Sequence, residues 1–457
     1  MMMPGSVTKD ILLQRIRSGA PLSFRQRVRL AGSLSYPAII AQLSTVVMQY
    51  IDASMVGHLS TDAGAAISLV STCLWLLGGF CFVICNGFSV QVAHLVGAND
   101  MRGARMVVRQ ALTSALIWSL VIGGIALAVA RPLPHLLGGS GAVADGAFEY
   151  FLINVLFLPL MQLDFMAATL LQCSGEMRVP SLLNVLMCCM DVGFNYLFIY
   201  GLDMGVAGAA LGTGLAEAVT ATLMVLYLTL RSKELRLRGE RGSFRPTRPV
   251  LRNAVKIGAP MCLENLVMRG AYIAGTVIVA PLGAVAIAAN GFAVIAESFC
   301  YMPGYGIADA ATALVGQSLG AGRKDLARRF GWITTGGAML IMSLTGVILF
   351  VFAPELMALL SGDPEVISLG ATVLRIEAFA ETMYAASIVA YGTCVGAEDT
   401  LVPSILNLGS IWIFRILPAA FLCPRYGLVG YWTAMCFELN VRGTIFLLYL
   451  ARSRRLR

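Results

Sequence analysis

Asp52, Asp191, Asn195 and Thr213 stand inside stretches that are otherwise almost wholly apolar. Oxygen-bearing side chains in such surroundings can hold a proton or a small cation. Asp191 and Asn195 are four residues apart and therefore share one helix face. Asp52 follows Pro37 by fifteen residues and Asn195 follows Pro180 by fifteen, so on two helices of the same sense they lie at matching depth, at about 1.5 Å per residue. Thr213 opens the next stretch at a similar level. Two carboxyl groups close together where water is scarce cannot both ionise cheaply. One is expected to keep a proton near physiological pH, and the same oxygens, unprotonated, would suit Na⁺.

The second half of the chain carries Glu264, one helical turn past Pro260, with Arg269 five residues further on. An ion pair between them would neutralise the acid; a free Glu264 would attract a cation. Gln42 and Asn290 are polar residues within apolar spans and join the candidate set, while Glu438 and Arg442, four apart, are expected to form a structural ion pair. Glu217, Glu297 and Asp309 are expected at cavity walls or helix ends. Met261, Met268, Tyr272, Phe292, Phe299 and Tyr301 would suit a pliable apolar pocket or lipid contact.

These residues need elements that fix their depth. The chain has 457 residues, 58% hydrophobic and 13% charged, with a mean hydropathy of +0.78, the balance of a protein that lives in a bilayer. Runs long enough to cross a hydrocarbon core, roughly 17–25 residues, recur near 33–56, 66–92, 111–130, 147–171, 181–200 and 208–229. They recur again near 255–281, 286–316, 331–353, 368–393, 403–422 and 428–450. Pro37 answers to Pro260, Gly97 to Gly320 and Pro180 to Pro403, each pair 223 residues apart. The expected fold is all-α and integral to the membrane, with about twelve transmembrane helices in two pseudo-symmetric six-helix lobes and a cavity between them. Residues 1–32 form a cytoplasmic segment, 33–229 the first lobe, 230–252 a basic linker, 253–450 the second lobe and 451–457 a basic tail.

The formal charge of +8 falls in alternate loops, so it marks orientation and argues against nucleic acid as a partner. Arg25, Arg27 and Arg29 precede the first span, Arg102, Arg105 and Arg109 follow the second, Arg241 is one of eight basic residues in the linker, and Arg454 and Arg457 stand in the tail. Both termini are therefore expected on the cytoplasmic side, with no removable signal peptide. The cysteines, scattered through apolar spans, read as small core-filling thiols. No phosphate-cradling Gly-rich Lys motif occurs, so ATP is not expected, and His58, His94 and His135 are dispersed without metal-ligand spacing. Gly205–Gly214 reads as a close helix approach. A membrane-embedded enzyme is disfavoured because no catalytic constellation is visible.

IDASMVGHL at 51–59, ALVGQSLGAGRKDLAR at 313–328, its weaker repeat at 90–105 and NYLFIYGLDMGVAGAALGT at 195–213 resemble the multidrug and toxic compound extrusion (MATE) family over nearly the whole chain. The resemblance implies a bacterial inner-membrane antiporter, acting as a monomer without cofactor, that exports small organic, often cationic, compounds in exchange for H⁺ or Na⁺. In the family branch resembling DinF proteins the cation site comprises a first-helix Asp, an Asn and an Asp one turn apart on the fifth helix, and a sixth-helix Thr. Asp52 and Thr213 match that pattern, whereas Asp191 and Asn195 appear in swapped order. Glu264 corresponds to the family's seventh-helix acid. In the tenth helix, aligned on Gly396, the usual carboxylate position holds Tyr384, and Glu381, one turn earlier, is the nearest acid. The wider superfamily includes lipid and lipid-linked oligosaccharide flippases, toward which only Arg269 and Arg415 lean.

Overall fold

The computed structural model describes residues 4–57, 61–239, 242–453 and 455; His58, Arg241, Arg454 and Arg457 lie outside them. Every regular element among these residues is a helix. Among the described residues ten helical stretches are long and apolar enough to cross a bilayer. The last, Leu401–Arg452, has 52 residues, more than twice the ~20 that one crossing needs. It is broken at Gly427, whose φ of 61° is a conformation open to glycine. Two shorter helices, Pro364–Glu377 and Glu381–Gly396, follow one another through residues 378–380 and together make another crossing. The crossings therefore number twelve, as the apolar periodicity implied. Their interiors contain Pro37, Pro159, Pro260, Pro303 and Pro424, tolerated in a membrane helix because neighbouring groups satisfy the freed carbonyls.

The chain divides into two compact units, residues 43–258 and residues 1–42 with 259–457. The divisions fall inside α2 (Phe24–Gly57) and α9 (Arg248–Val279). A short helix unforeseen from sequence, α1 (Pro4–Arg17), precedes them.

The contiguous unit contains α3 (Thr61–Gly97), α4 (Met101–Ala130), the short α5 (Leu133–Leu136), α6 (Gly141–Cys173), α7 (Arg178–Tyr196) and α8 (Gly205–Leu226). Phe88, Val92, Ala104, Val108, Met166 and Leu170 form one buried cluster among α3, α4 and α6. The basic linker is docked on α4: Arg105 Nε donates to the Glu234 carbonyl at 2.9 Å, and Gln110 Oε1 accepts from the Thr247 backbone N–H at 2.9 Å.

The discontinuous unit contains α1, the start of α2, most of α9, α10 (Ala284–Gly320), α11 (Lys324–Val351), α12 (Ala353–Ala358), α13 (Pro364–Glu377), α14 (Glu381–Gly396), α15 (Leu401–Ser410) and α16 (Leu417–Arg452). Its core alternates small and large side chains, with Ala286, Ala289, Ala293 and Ala296 of α10 in the same cluster as Leu374 and the wholly buried Trp432. Small residues at the contacts let helix backbones approach where lipid supplies no hydrophobic drive. Arg323 ties α1 down, its Nη1 donating to the carbonyls of Ala20 at 2.8 Å and Arg15 at 3.3 Å.

Among the described residues three π-helical turns occur, Leu197–Gly201 after α7, Tyr227–Arg231 after α8 and Ile411–Ile416 between α15 and α16. Such turns shift the face that a helix presents and recur at functional sites. The third carries Arg415, which is buried.

Candidate functional site

In the contiguous unit α7 crosses α8 where the glycines of 205–214 remove side-chain bulk. A Cβ on Gly208 would meet the Phe198 backbone, one on Gly212 would meet Asn195, and one on Gly214 would meet the Phe157 ring. The close approach read from the sequence is thus present, and it presses α8 against the polar face of α7. Asn195 Nδ2 donates to Asp52 Oδ1 at 3.1 Å and to Asp191 Oδ2 at 3.3 Å. Asp52 and Thr213 both lie near the Asp191 carboxyl. All four candidates from the first half therefore meet, although they come from α2, α7 and α8.

Asp191 is 0% exposed, and its Oδ1 and Asn195 Oδ1 have no partner among the described residues. Unpaired buried oxygens of this kind are costly unless something occupies them. Tyr150 of α6 lies near both acids, and Glu217, one turn past Thr213, lies near Asp191 and Asp164. Glu217 thus extends the acidic group along α8. Asp164 escaped the sequence reading because its neighbours give no periodic polar signal.

In the discontinuous unit Glu264, 7% exposed, accepts from three neutral donors: Tyr391 Oη at 2.7 Å, Ser404 Oγ at 2.6 Å and Asn407 Nδ2 at 2.6 Å. These hydrogen bonds from α14 and α15 orient the carboxyl without cancelling its charge, in contrast to the ion pair entertained with Arg269. Tyr391, Ser404 and Asn407 were not picked from the sequence; Ser404 and Asn407 sit three apart just after Pro403 and share the face that meets α9.

Glu438 and Arg442 do form the expected pair, with Arg442 Nε at 3.1 Å, and Arg415 joins it at 2.7 Å with Ser410 Oγ donating at 2.7 Å. The π turn aims Arg415 inward. The Arg442 guanidinium lies 5.5 Å from the centroid of the Tyr384 ring, which also packs on Tyr301. Glu381 opens α14 after a break that the continuous span read over 368–393 did not anticipate. Glu377 closes α13, and both glutamates are wholly buried with none of their carboxylate oxygens partnered among the described residues. Glu297 of α10 is near enough to act on each electrostatically. Glu297 lies well inside α10 and so is not one of the helix-end residues that the sequence allowed for. Of the remaining candidates, Asn290 accepts from Trp432 Nε1 at 2.9 Å and Gln42 meets Asp309.

The MatE family model matches the chain twice, over residues 37–197 and 260–421. The two matches begin on Pro37 and Pro260, the pair that set the internal repeat. The chain belongs to the MatE family. It is accordingly a multi-pass membrane transporter, which agrees with reading it as a transporter and not an enzyme. A "Probable multidrug resistance protein NorM" from Thermotoga maritima is 27% identical over 433 residues, covering 91% of this chain and 90% of that protein. Another of the same name from Pseudomonas aeruginosa is 29% identical, covering 89% and 84%. The crystal structure of a MATE protein in complex with MaL6 matches with a TM-score of 0.90 at 20% identity over 98% of each chain, so the MatE chain shares its fold.

Proposed function

We propose that this MatE chain is a cation-coupled antiporter that exports small organic, chiefly cationic, compounds by alternating access. The observation that supports it best is the cluster of Asp52, Asp191, Asn195 and Thr213, which gathers two carboxyl groups and two unpartnered oxygens, with Asp191 and Asn195 buried and Asp52 half-buried. The relatives' names point to multidrug resistance, and the buried Glu264 offers a negative charge to a cationic substrate. Each cation moving inward contributes about 2.3 kcal/mol per 100 mV, equivalent at about 1.4 kcal/mol per tenfold to a gradient of several tens of fold for a neutral drug; a singly charged drug cation leaving costs the same amount, so its one-for-one export draws on the concentration gradient of the coupling ion. The Arg-rich linker and ends favour cytoplasmic termini in a bacterial inner membrane, and the chain is proposed to work as a monomer.

The coupling ion proposed is H⁺. With the acid at 191 and the amide at 195, the Asn195 NH₂ group lies between the two carboxyl groups, donating to both. A metal cation at that point would need an oxygen in place of those N–H bonds. A proton makes no such demand, because two adjacent carboxyl groups can share one. The flippase reading drew on Arg269 and Arg415, and Arg415 is spent on Glu438, leaving it little to offer a phosphate.

Efflux of an organic cation from proteoliposomes, driven separately by a pH gradient and by a Na⁺ gradient, tests the reading. The wild type is expected to follow the pH gradient, and Asp52→Asn to insert and fold yet lose gradient-driven efflux. Wild-type efflux by a normally expressed Asp52→Asn variant, or efflux that follows Na⁺ alone, refutes it.

A further inference from the structure

The first turn of α2 and the first three turns of α11 line an open surface pocket of about 670 Å³, within the usual size range of small-molecule sites. It belongs to the discontinuous unit and shares no residue with the polar clusters described above. Its polar wall holds Arg27, Arg328 and Arg329, opposed by one carboxylate, Asp325. Arg27 is only 9% exposed, and its Nε donates weakly to the Ser23 carbonyl at 3.4 Å. Arg27 is one of the residues that line the pocket. Arg329 repels Arg27 electrostatically and Asp325 attracts it. Three guanidiniums facing a single acid leave the pocket with a net positive charge that an anion would offset.

We propose that this pocket binds a phosphate-bearing anion, and that its source is the headgroup of an anionic phospholipid. Three guanidiniums, always charged and planar, match the oxygens of a phosphate with paired charge-assisted hydrogen bonds. The remaining lining is apolar or aromatic. Phe24 is 66% exposed and Trp332 38% exposed, and Phe24 also lies 6.0 Å from the Arg27 guanidinium carbon. Both stand at the ends of membrane-spanning helices, the level at which aromatic rings anchor to the bilayer interface. A lipid headgroup presents its phosphate to the arginines and its glycerol and acyl origins to Phe24, Trp332 and Ile333. Free phosphate gains nothing from those three. Basic pockets at helix ends are where headgroup recognition is expected on electrostatic grounds.

Native mass spectrometry of the purified, delipidated full-length chain tests this, with phosphatidylglycerol, phosphatidylcholine and inorganic phosphate as separate probes. Phosphatidylglycerol is expected to bind at least tenfold more tightly than phosphatidylcholine, and Arg328→Gln with Arg329→Gln, both on the surface, to remove most of that preference. Arg27→Lys, which keeps the charge and loses the planar fork, should weaken binding by a smaller factor. Failure of inorganic phosphate to compete supports the lipid source; competition by it that depends on the same arginines supports the anion site with a free source. Equal retention of the two lipids, or a preference unchanged in the double variant, overturns the proposal.

Discussion

Gly212→Ala is expected to disable transport while leaving a folded protein. The nearest neighbours of a Cβ at this position are Asn195 Oδ1, the Asn195 backbone nitrogen at 2.9 Å and its Cα at 3.1 Å. Ordinary contact between heavy atoms is about 3.5–4.0 Å, so α8 would have to retreat from α7 by roughly 0.5–1 Å. Two of the three obstacles are main-chain atoms and cannot swing aside. Overpacking of this kind costs about 1–3 kcal/mol, partly offset by alanine's better helix propensity, worth about 1 kcal/mol. The displacement falls on Asn195 itself, whose amide bridges Asp52 and Asp191. If the whole cost is expressed in the transport cycle, efflux falls by about 5-fold to 150-fold, since each 1.36 kcal/mol is a factor of ten in rate. Gly193→Ala on α7 is the control, because a Cβ there meets nothing within 4 Å. The assay is gradient-driven efflux from proteoliposomes, normalised to inserted protein, with a thermal melt in detergent alongside. Equal efflux by the two alanine variants would refute the claim that the close approach at Gly212 sets the geometry of the polar cluster.

Glu438→Gln should lower stability by about 3–5 kcal/mol, because it leaves the Arg415 and Arg442 guanidiniums buried without a counter-charge; an unchanged melting curve in detergent would contradict this. Glu264→Gln should weaken export of cationic substrates more than neutral ones, since the loss of charge matters most where the dielectric is low, and equal losses measured by competition efflux would assign Glu264 a purely structural role. Exchange of the pair, Asp191→Asn with Asn195→Asp, is expected to introduce Na⁺ dependence by moving the acid about 6 Å along the helix; efflux of the double variant indifferent to Na⁺ would count against the argument from residue order.

Twelve crossings and the duplicated layout were legible because the bilayer imposes a length on every apolar run and the prolines at 37, 180, 260 and 403 repeat in register. The Asp52 cluster was legible for a related reason: charged and amide groups are rare in such runs, and equal distances from matched prolines imply equal depth. The partners of Glu264 were hidden. Tyr391, Ser404 and Asn407 are ordinary residues in apolar helices, and only the packing of α14 and α15 against α9 brings their donors to one carboxyl. Arg415 misled for a similar reason, since a π turn rotates it from where regular helical spacing would place it. The break between Glu377 and Glu381 contains no proline or glycine, the usual local markers of an interrupted helix. α1 was passed over because a short helix of mixed polarity gives a faint signal next to membrane spans.

The division of the chain into one contiguous and one discontinuous unit has a consequence for biosynthesis. Residues 43–258 form a unit contiguous in sequence, so all of its internal contacts become available once that stretch has been made. The first 42 residues differ. Ile39 packs beside Ile307, Ala308 and Ala311, and Arg323 is what fastens the end of α1. The contacts that fix this earliest-made segment to its own unit therefore form only after more than 250 further residues have been translated, and until then a segment lacking them is exposed to quality-control proteases and to mispairing with other membrane helices.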